Sequence, residues 1–191
     1  MAAGEDTSRE GNGSKEAREM LAGFADSDRA RTLQRFFKTG PGEYGEGDLF
    51  LGVRVPDVRK TAKEYIDLAM KDVKWLLRSP LHEERLLALL IMVGRYGRGD
   101  KAERNRIYRL YLGNTRWINN WDLVDVTAAH VVGAHLWERD RSPLTRLARS
   151  VSLWERRVAV VSTFYYIRRD DFADTLRIAG LLLDDGADLI H

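Results

Sequence analysis

A short pattern that returns at a fixed distance limits what this chain can fold into more than any bulk property does. Leu81-His82-Glu83-Glu84-Arg85-Leu86-Leu87 aligns with Leu153-Trp154-Glu155-Arg156-Arg157-Val158-Ala159, 72 positions further on, and half that spacing lands on Trp117 to Leu123. The resulting period of 36 suits a pair of helices, so Arg85, Trp121 and Arg157 hold equivalent places in successive units. One such unit cannot bury its apolar face alone and must stack on its neighbours. The pattern therefore predicts an all-α fold, a HEAT-like helical-repeat solenoid whose equivalent positions line one concave surface carrying Trp121, Asp125 and Arg157. A generic helical bundle is the alternative architecture.

Hydrophobic periodicity agrees with helices nearly throughout. Residues 1–15 are polar and Gly/Ser-bearing and read as a flexible N-terminal tail, leaving 16–191 as the repeat domain. Within it, helices are expected over 16–25 and 29–38, followed by a glycine-rich loop, 40–52. That loop lacks the Lys-Ser/Thr ending of a phosphate-binding loop and carries Glu43, Glu46 and Asp48, so a connecting role is the better reading. Pro56 suits a first helical position, launching a helix through Val58, Ala62, Tyr65 and Ala69. A short helix around Trp75 leads to 81–93, apolar on nearly all sides and hence central. Further helices are expected over 101–112, 121 to about 137, 142–150 and 154–168, and a last one, capped by Asp170 or Asp171, through Phe172, Leu176, Ala179 and Leu183.

Composition narrows the function classes. With 44% hydrophobic and 31% charged residues in 191, one sizeable core is affordable. The start of the chain has no apolar stretch of signal-peptide type, and the longest apolar run, 86–93, is too short to span a bilayer. There is no cysteine, which removes disulfides, thiolate nucleophiles and thiolate-held zinc. A cytoplasmic monomer without membrane attachment is the expectation. Net charge is only +2, so any hold on nucleic acid depends on where the 31 Lys and Arg are placed.

The most unusual chemistry lies in Asn119-Asn120-Trp121-Asp122-Leu123-Val124-Asp125. Asn119 or Asn120 suits an N-cap, and Trp121 and Asp125, four apart, share a helix face with Ala128, Val132 and His135. A carboxylate on so apolar a stripe is costly unless it is paired or takes part in chemistry. Asp122, in the first turn, suits the helix dipole. Arg156 reads as solvated on the outer face, while Arg104, Arg106 and Arg109 fit a solvated face as well as a rim. His130 and His135 are five apart, off one face, so no metal site is expected.

Three motifs in this order carry a family resemblance: Phe50-Leu51-Gly52-Val53-Arg54-Val55-Pro56-Asp57-Val58-Arg59, the stretch 119–125, and Leu153-Trp154-Glu155-Arg156-Arg157. Across roughly 33–191 the chain resembles the AlkD-like DNA alkylation repair glycosylases. The resemblance implies a HEAT-like solenoid with a concave basic groove that grips duplex DNA containing alkylated bases and hydrolyses the N-glycosidic bond of N3- or N7-alkylated purines, without metal, cofactor or lyase lysine. It implies Asp125 as the catalytic carboxylate, Trp121 against the sugar and lesion, Arg157 on the phosphate backbone, and Arg54 and Arg59 as further DNA contacts. It also implies action on the groove surface without base flipping.

The repeat places a further equivalent position near 193, where the family pattern carries a second active-site tryptophan on a following helix. On this reading the domain lacks its last helices, and the apolar face of 176–183 lacks a complete partner. Two rivals follow: a non-catalytic HEAT-like binder of DNA structure, and a protein-interaction solenoid.

Overall fold

The computed structural model describes residues 11–191, and the chain divides between Arg95 and Tyr96 into two compact units. Among the described residues the elements are helical, with one isolated parallel bridge between Leu49 and Leu81.

The N-terminal unit holds α1 (Asn12–Ala22), α2 (Ser27–Phe36), α3 (Val55–Glu64), α4 (Met70–Leu77) and most of α5 (His82–Arg98). Of the stretch expected to be a tail, residues 1–10 lie outside the described residues, while 12–15 are helical. Packing overrides the poor helix propensity of Asn, Gly and Ser there. Ser14 is fully buried and donates to the Gly11 carbonyl and to Asp72 on α4, while Ala17 and Leu21 fill the core behind it. Asp26 caps α2, accepting from the Asp28 and Arg29 amides, and those bonds hold its carboxyl below the usual range. Pro56 sits in the first turn of α3, which stops at Glu64, short of the expected Ala69.

Helix α5 is central, as its sequence demanded. Leu86, Leu87, Ala88, Leu89, Ile91 and Met92 are all buried. Its first turn also organises the glycine-rich loop. The Glu83 carboxylate accepts from the backbone N–H groups of Leu51, Gly52 and Val53 at 3.0, 2.8 and 3.2 Å. Asp48, from the same loop, is buried against His82 Nδ1 (3.2 Å) and the Arg85 guanidinium (2.7 Å). Gly52 is required twice over: its φ is +79°, and a Cβ there would stand 2.0 Å from the Asp26 carbonyl. The loop's amides are thus occupied by an internal carboxylate, in line with a connecting role.

The C-terminal unit holds the last turn of α5, then α6 (Lys101–Leu112), α7 (Trp121–Asp125), α8 (Ala134–Leu136), α9 (Ser142–Ala148), α10 (Leu153–Ser162), α11 (Phe164–Ile167) and α12 (Ala173–Leu181). Asp100 caps α6 by accepting from Glu103 N at 2.8 Å. One device recurs in this unit. Arg104, Arg141 and Arg169 each donate to the backbone carbonyl of an aromatic residue, Tyr96, Trp137 and Tyr165, and each guanidinium lies over the ring of that same residue. A cation that closes open carbonyls at a helix end and rests on an aromatic face stabilises both.

Two long helices expected from the sequence are interrupted. The stretch 121–137 is α7, a turn, a π-helical segment (Ala129–Gly133) and α8. The stretch 154–168 divides into α10 and α11 at Thr163, whose hydroxyl returns to the Val160 carbonyl. Phe172, Leu176 and Leu183 stand exposed around α12, so the apolar face expected to lack a partner is open among the described residues. The stretch Asp188–Ile190 forms a single 3-10 turn. No helix among the described residues is long and apolar enough to cross a membrane.

Candidate active site

Asn120, not Asn119, caps α7. It is fully buried, and its Oδ1 accepts from the Trp121 amide at 2.8 Å. Asp122 plays the part expected of a first-turn acid, accepting from Leu123 N. These contacts fix the start of a five-residue helix, on which Trp121 and Asp125 share a face and are both half-buried.

Why α7 ends at Asp125 follows from Thr127. Its buried hydroxyl bonds back to the Leu123 carbonyl, and the Tyr111 hydroxyl meets it at 2.9 Å. A threonine bonded to the carbonyl four residues earlier bends a helix. With Thr127 donating to Leu123, Tyr111 supplies the other hydrogen bond. Burial, chiefly, pushes the Tyr111 phenol well up, so it remains a neutral donor.

The next segment is set by a close approach. A Cβ on Gly133 would lie 2.2 Å from the Ser162 carbonyl and 2.9 Å from Cβ of Tyr165, so the π-helical segment rests almost directly on the end of α10. The fully buried Ser162 hydroxyl spans the same contact, within 3.5 Å of the Ala128 carbonyl. This packing holds the start of α10 opposite Asp125. There the Arg157 guanidinium meets the carboxylate with two parallel bonds, Nε to Oδ1 and Nη2 to Oδ2, both 2.8 Å. The carboxylate that looked costly on its apolar stripe is therefore paired. It is also reachable, its side chain being 36% exposed, and Arg157 is 20% exposed. The remaining arm of Arg157 donates to the Leu189 carbonyl.

The structure thus brings Trp121, Asp125 and Arg157 together in one unit. Arg54 and Arg59 belong to the other: Arg54 caps α3, Arg59 lies within it, both are exposed, and neither is held in an ion pair among the described residues. Arg156 departs from its expected solvated place. It binds the Asp185 carboxylate at 2.6 and 3.2 Å and the Ser150 and Val151 carbonyls, because the turn after α12 folds back over it. Arg104 is a helix-end cap, and Arg106 pairs with Glu103 at 3.0 Å.

Glu155, which the sequence did not single out, accepts from the Thr115 hydroxyl at 2.7 Å and the Ser150 hydroxyl at 2.5 Å. The signal was present in Ser152-Leu153-Trp154-Glu155, a capping-box spacing at the head of α10. The aligned motifs also share their chemistry. Arg85 and Arg157 each clasp an aspartate from earlier in their own unit, but the Arg85–Asp48 pair is buried whereas Asp125 stays open to solvent.

The family model for DNA alkylation repair enzymes matches residues 17–191. This chain belongs to that family. The match takes in both compact units and every residue of the Trp121, Asp125 and Arg157 group. A search of curated proteins returns no significant match. Membership of the DNA alkylation repair enzymes points to DNA as the partner.

Proposed function

We propose that the protein is a monofunctional DNA glycosylase that hydrolyses the N-glycosidic bond of N3- or N7-alkylated purines in duplex DNA. The observation that carries this reading is the solvent-accessible Asp125 carboxylate, oriented by Arg157 and standing on the face of Trp121. Alkylation puts a positive charge on the purine ring. When the bond from C1′ to the base breaks, its electron pair neutralises that ring, and the sugar is left as an oxocarbenium ion. Asp125 stabilises this cation and takes a proton from the water that adds to C1′. Each carboxylate oxygen accepts one bond from Arg157 and keeps a lone pair for that water. Trp121 presents its π face to the cationic sugar and lesion. Arg157 contributes to holding the strand, with Arg54 and Arg59 as further phosphate contacts on a HEAT-like solenoid.

The test is release of free base from duplex DNA carrying 7-methylguanine. The wild-type chain should release it, and Asp125→Asn should be slower by about 100- to 1000-fold, the usual effect of removing one preorganised electrostatic group. Equal release by both, at the spontaneous rate, would overturn the enzyme reading. One observation favours a second reading, a DNA-structure binder without catalysis: the Arg157 guanidinium offsets the Asp125 charge, which weakens that carboxylate as a stabiliser of a sugar cation. That reading predicts salt-sensitive binding to DNA with no base release at any lesion.

A further inference from the structure

The C-terminal unit carries a second concentration of unused polar groups, away from Asp125. A cleft of about 400 Å³ opens between the start of α6 and the end of α8, lined by Lys101, Ala102, Asn105, His135 and Arg139. His135 is ten residues beyond Asp125, on α8 and past the turn and the π-helical segment that follow α7. No carboxylate lines the cleft, although Asp100 and Glu138 adjoin two of its residues in sequence. Lys101 and Arg139 are exposed and form no ion pair among the described residues, and the Asn105 side chain makes no hydrogen bond there. Arg139 gives one arm to the His135 carbonyl and keeps its other donors.

His135 is the informative member. Only 4% exposed, it is stacked on Tyr108 with ring centroids 4.0 Å apart. Its Nδ1 lies 3.3 Å from the Tyr96 hydroxyl, and its Nε2 makes no hydrogen bond among the described residues. That nitrogen is not sealed in the interior, so solvent or a ligand can reach it. Burial, then Arg139 and Arg109, pull the imidazole down to about 4, so at neutral pH it is uncharged. Burial likewise pushes the Tyr96 phenol up, so its hydroxyl is protonated and able to donate to Nδ1. With Tyr96 donating to Nδ1, Nε2 carries the hydrogen. The cleft therefore offers two cations, an amide and an imidazole N–H, all of them donors.

We propose that this cleft is a phosphate-binding site for a nucleotide unit, the phosphate meeting Lys101, Arg139, Asn105 and His135 Nε2–H, with the sugar against Ala102 and the aliphatic stem of Arg139. The cleft exceeds what a bare anion fills, which is why a phosphate borne on a nucleoside suits it. Two sources share that chemistry: the backbone of a DNA strand and a free mononucleotide. The proposal does not depend on the glycosylase reading, since none of its residues belongs to the Asp125 site.

The test uses the full chain with isotope-labelled histidine, following the His135 ring signals by NMR during titration with inorganic phosphate, with deoxyadenosine monophosphate and with an undamaged duplex. Lys101→Gln and Arg139→Gln are compared with Arg106→Gln, an equal loss of charge at an exposed position of α6 that does not line the cleft. Lys101 is exposed, so its variant keeps the test valid should Arg139→Gln unfold the end of α8. Saturable His135 shifts with the mononucleotide, weakened about five- to ten-fold by Lys101→Gln and Arg139→Gln, with duplex affinity unchanged, assign the cleft to a free nucleotide. Shifts with duplex, together with a fall of about one in the salt dependence of DNA binding for each of the two variants, assign it to the strand backbone. No His135 shift with any of the three probes, or variants no different from Arg106→Gln, overturns the proposal. Asp125→Asn, which should slow base release, must leave these shifts untouched, so the two readings fail separately.

Discussion

Glu83 and Glu155 occupy equivalent places, 72 positions apart, yet the structure makes removal of one far more damaging than removal of the other. Glu83 is 2% exposed and satisfies three backbone N–H groups, at Leu51, Gly52 and Val53. Those amides make no other hydrogen bond among the described residues. Glu83→Ala leaves them unsatisfied, and with a net contribution of about 1.5 kcal/mol for each bond to a charged group the loss should be about 3 to 5 kcal/mol. Glu155 is half-buried and accepts from two hydroxyls, Thr115 and Ser150, which rotate and can turn to water. Glu155→Ala should therefore cost about 1 to 2 kcal/mol. Urea denaturation followed by probes in each compact unit gives both values, and hydrogen exchange at Leu51, Gly52 and Val53 gives the local effect. Because Val53 leads directly into the Arg54 cap of α3, the loosened loop should also weaken any DNA contact made by Arg54. Equal costs for the two substitutions, or undiminished protection of the three amides in Glu83→Ala, would refute the argument.

Gly133→Ala places a methyl group 2.2 Å from the Ser162 carbonyl, so α10 must retreat from the π-helical segment. The expected result is a loss of about 2 to 4 kcal/mol in stability, and base release impaired well beyond that loss because Arg157 moves off Asp125; normal release by a stable variant would contradict it. His135, ordinarily titrating near 6.5 and brought to about 4 by burial, stabilises the fold fully above about pH 6.5, and that stability is lost as pH falls towards 4. The loss should reach about 2 kcal/mol by about pH 5. Denaturation of wild type and His135→Gln at about pH 7.5 and about pH 5 should show the gap between them narrowing on acidification; a constant gap would rule the reasoning out.

Helices with clear caps and periodic faces could be read from the sequence alone. Residues 101–112, with Asp100 before and Gly113 after, form α6 at the expected bounds, and the apolar run 81–93 is the buried heart of α5. Asn120, Trp121 and Asp125 were legible because a cap and an i, i+4 pair are local patterns. Membership of the family was legible too, since three ordered motifs carry it. Where local preference and packing conflicted, the sequence misled. Asn12 to Lys15 look like tail and form helix because Ser14 is buried against α4, and Arg156 looks solvated and is held by Asp185.

The sequence by itself therefore determined the helical class, the family and the face on which Trp121 and Asp125 stand, all properties of short windows or of recurring motifs. Only the tertiary structure decided that Asp125 is paired. Its partner Arg157 lies 32 positions away, brought across by the approach of Gly133 to Ser162 and by the break at Thr127. Such a pairing depends on how two helix ends pack, and no pattern along one helix records it. The same holds for His135, whose place against the Tyr108 ring and the Tyr96 hydroxyl appears only once those residues have packed around it.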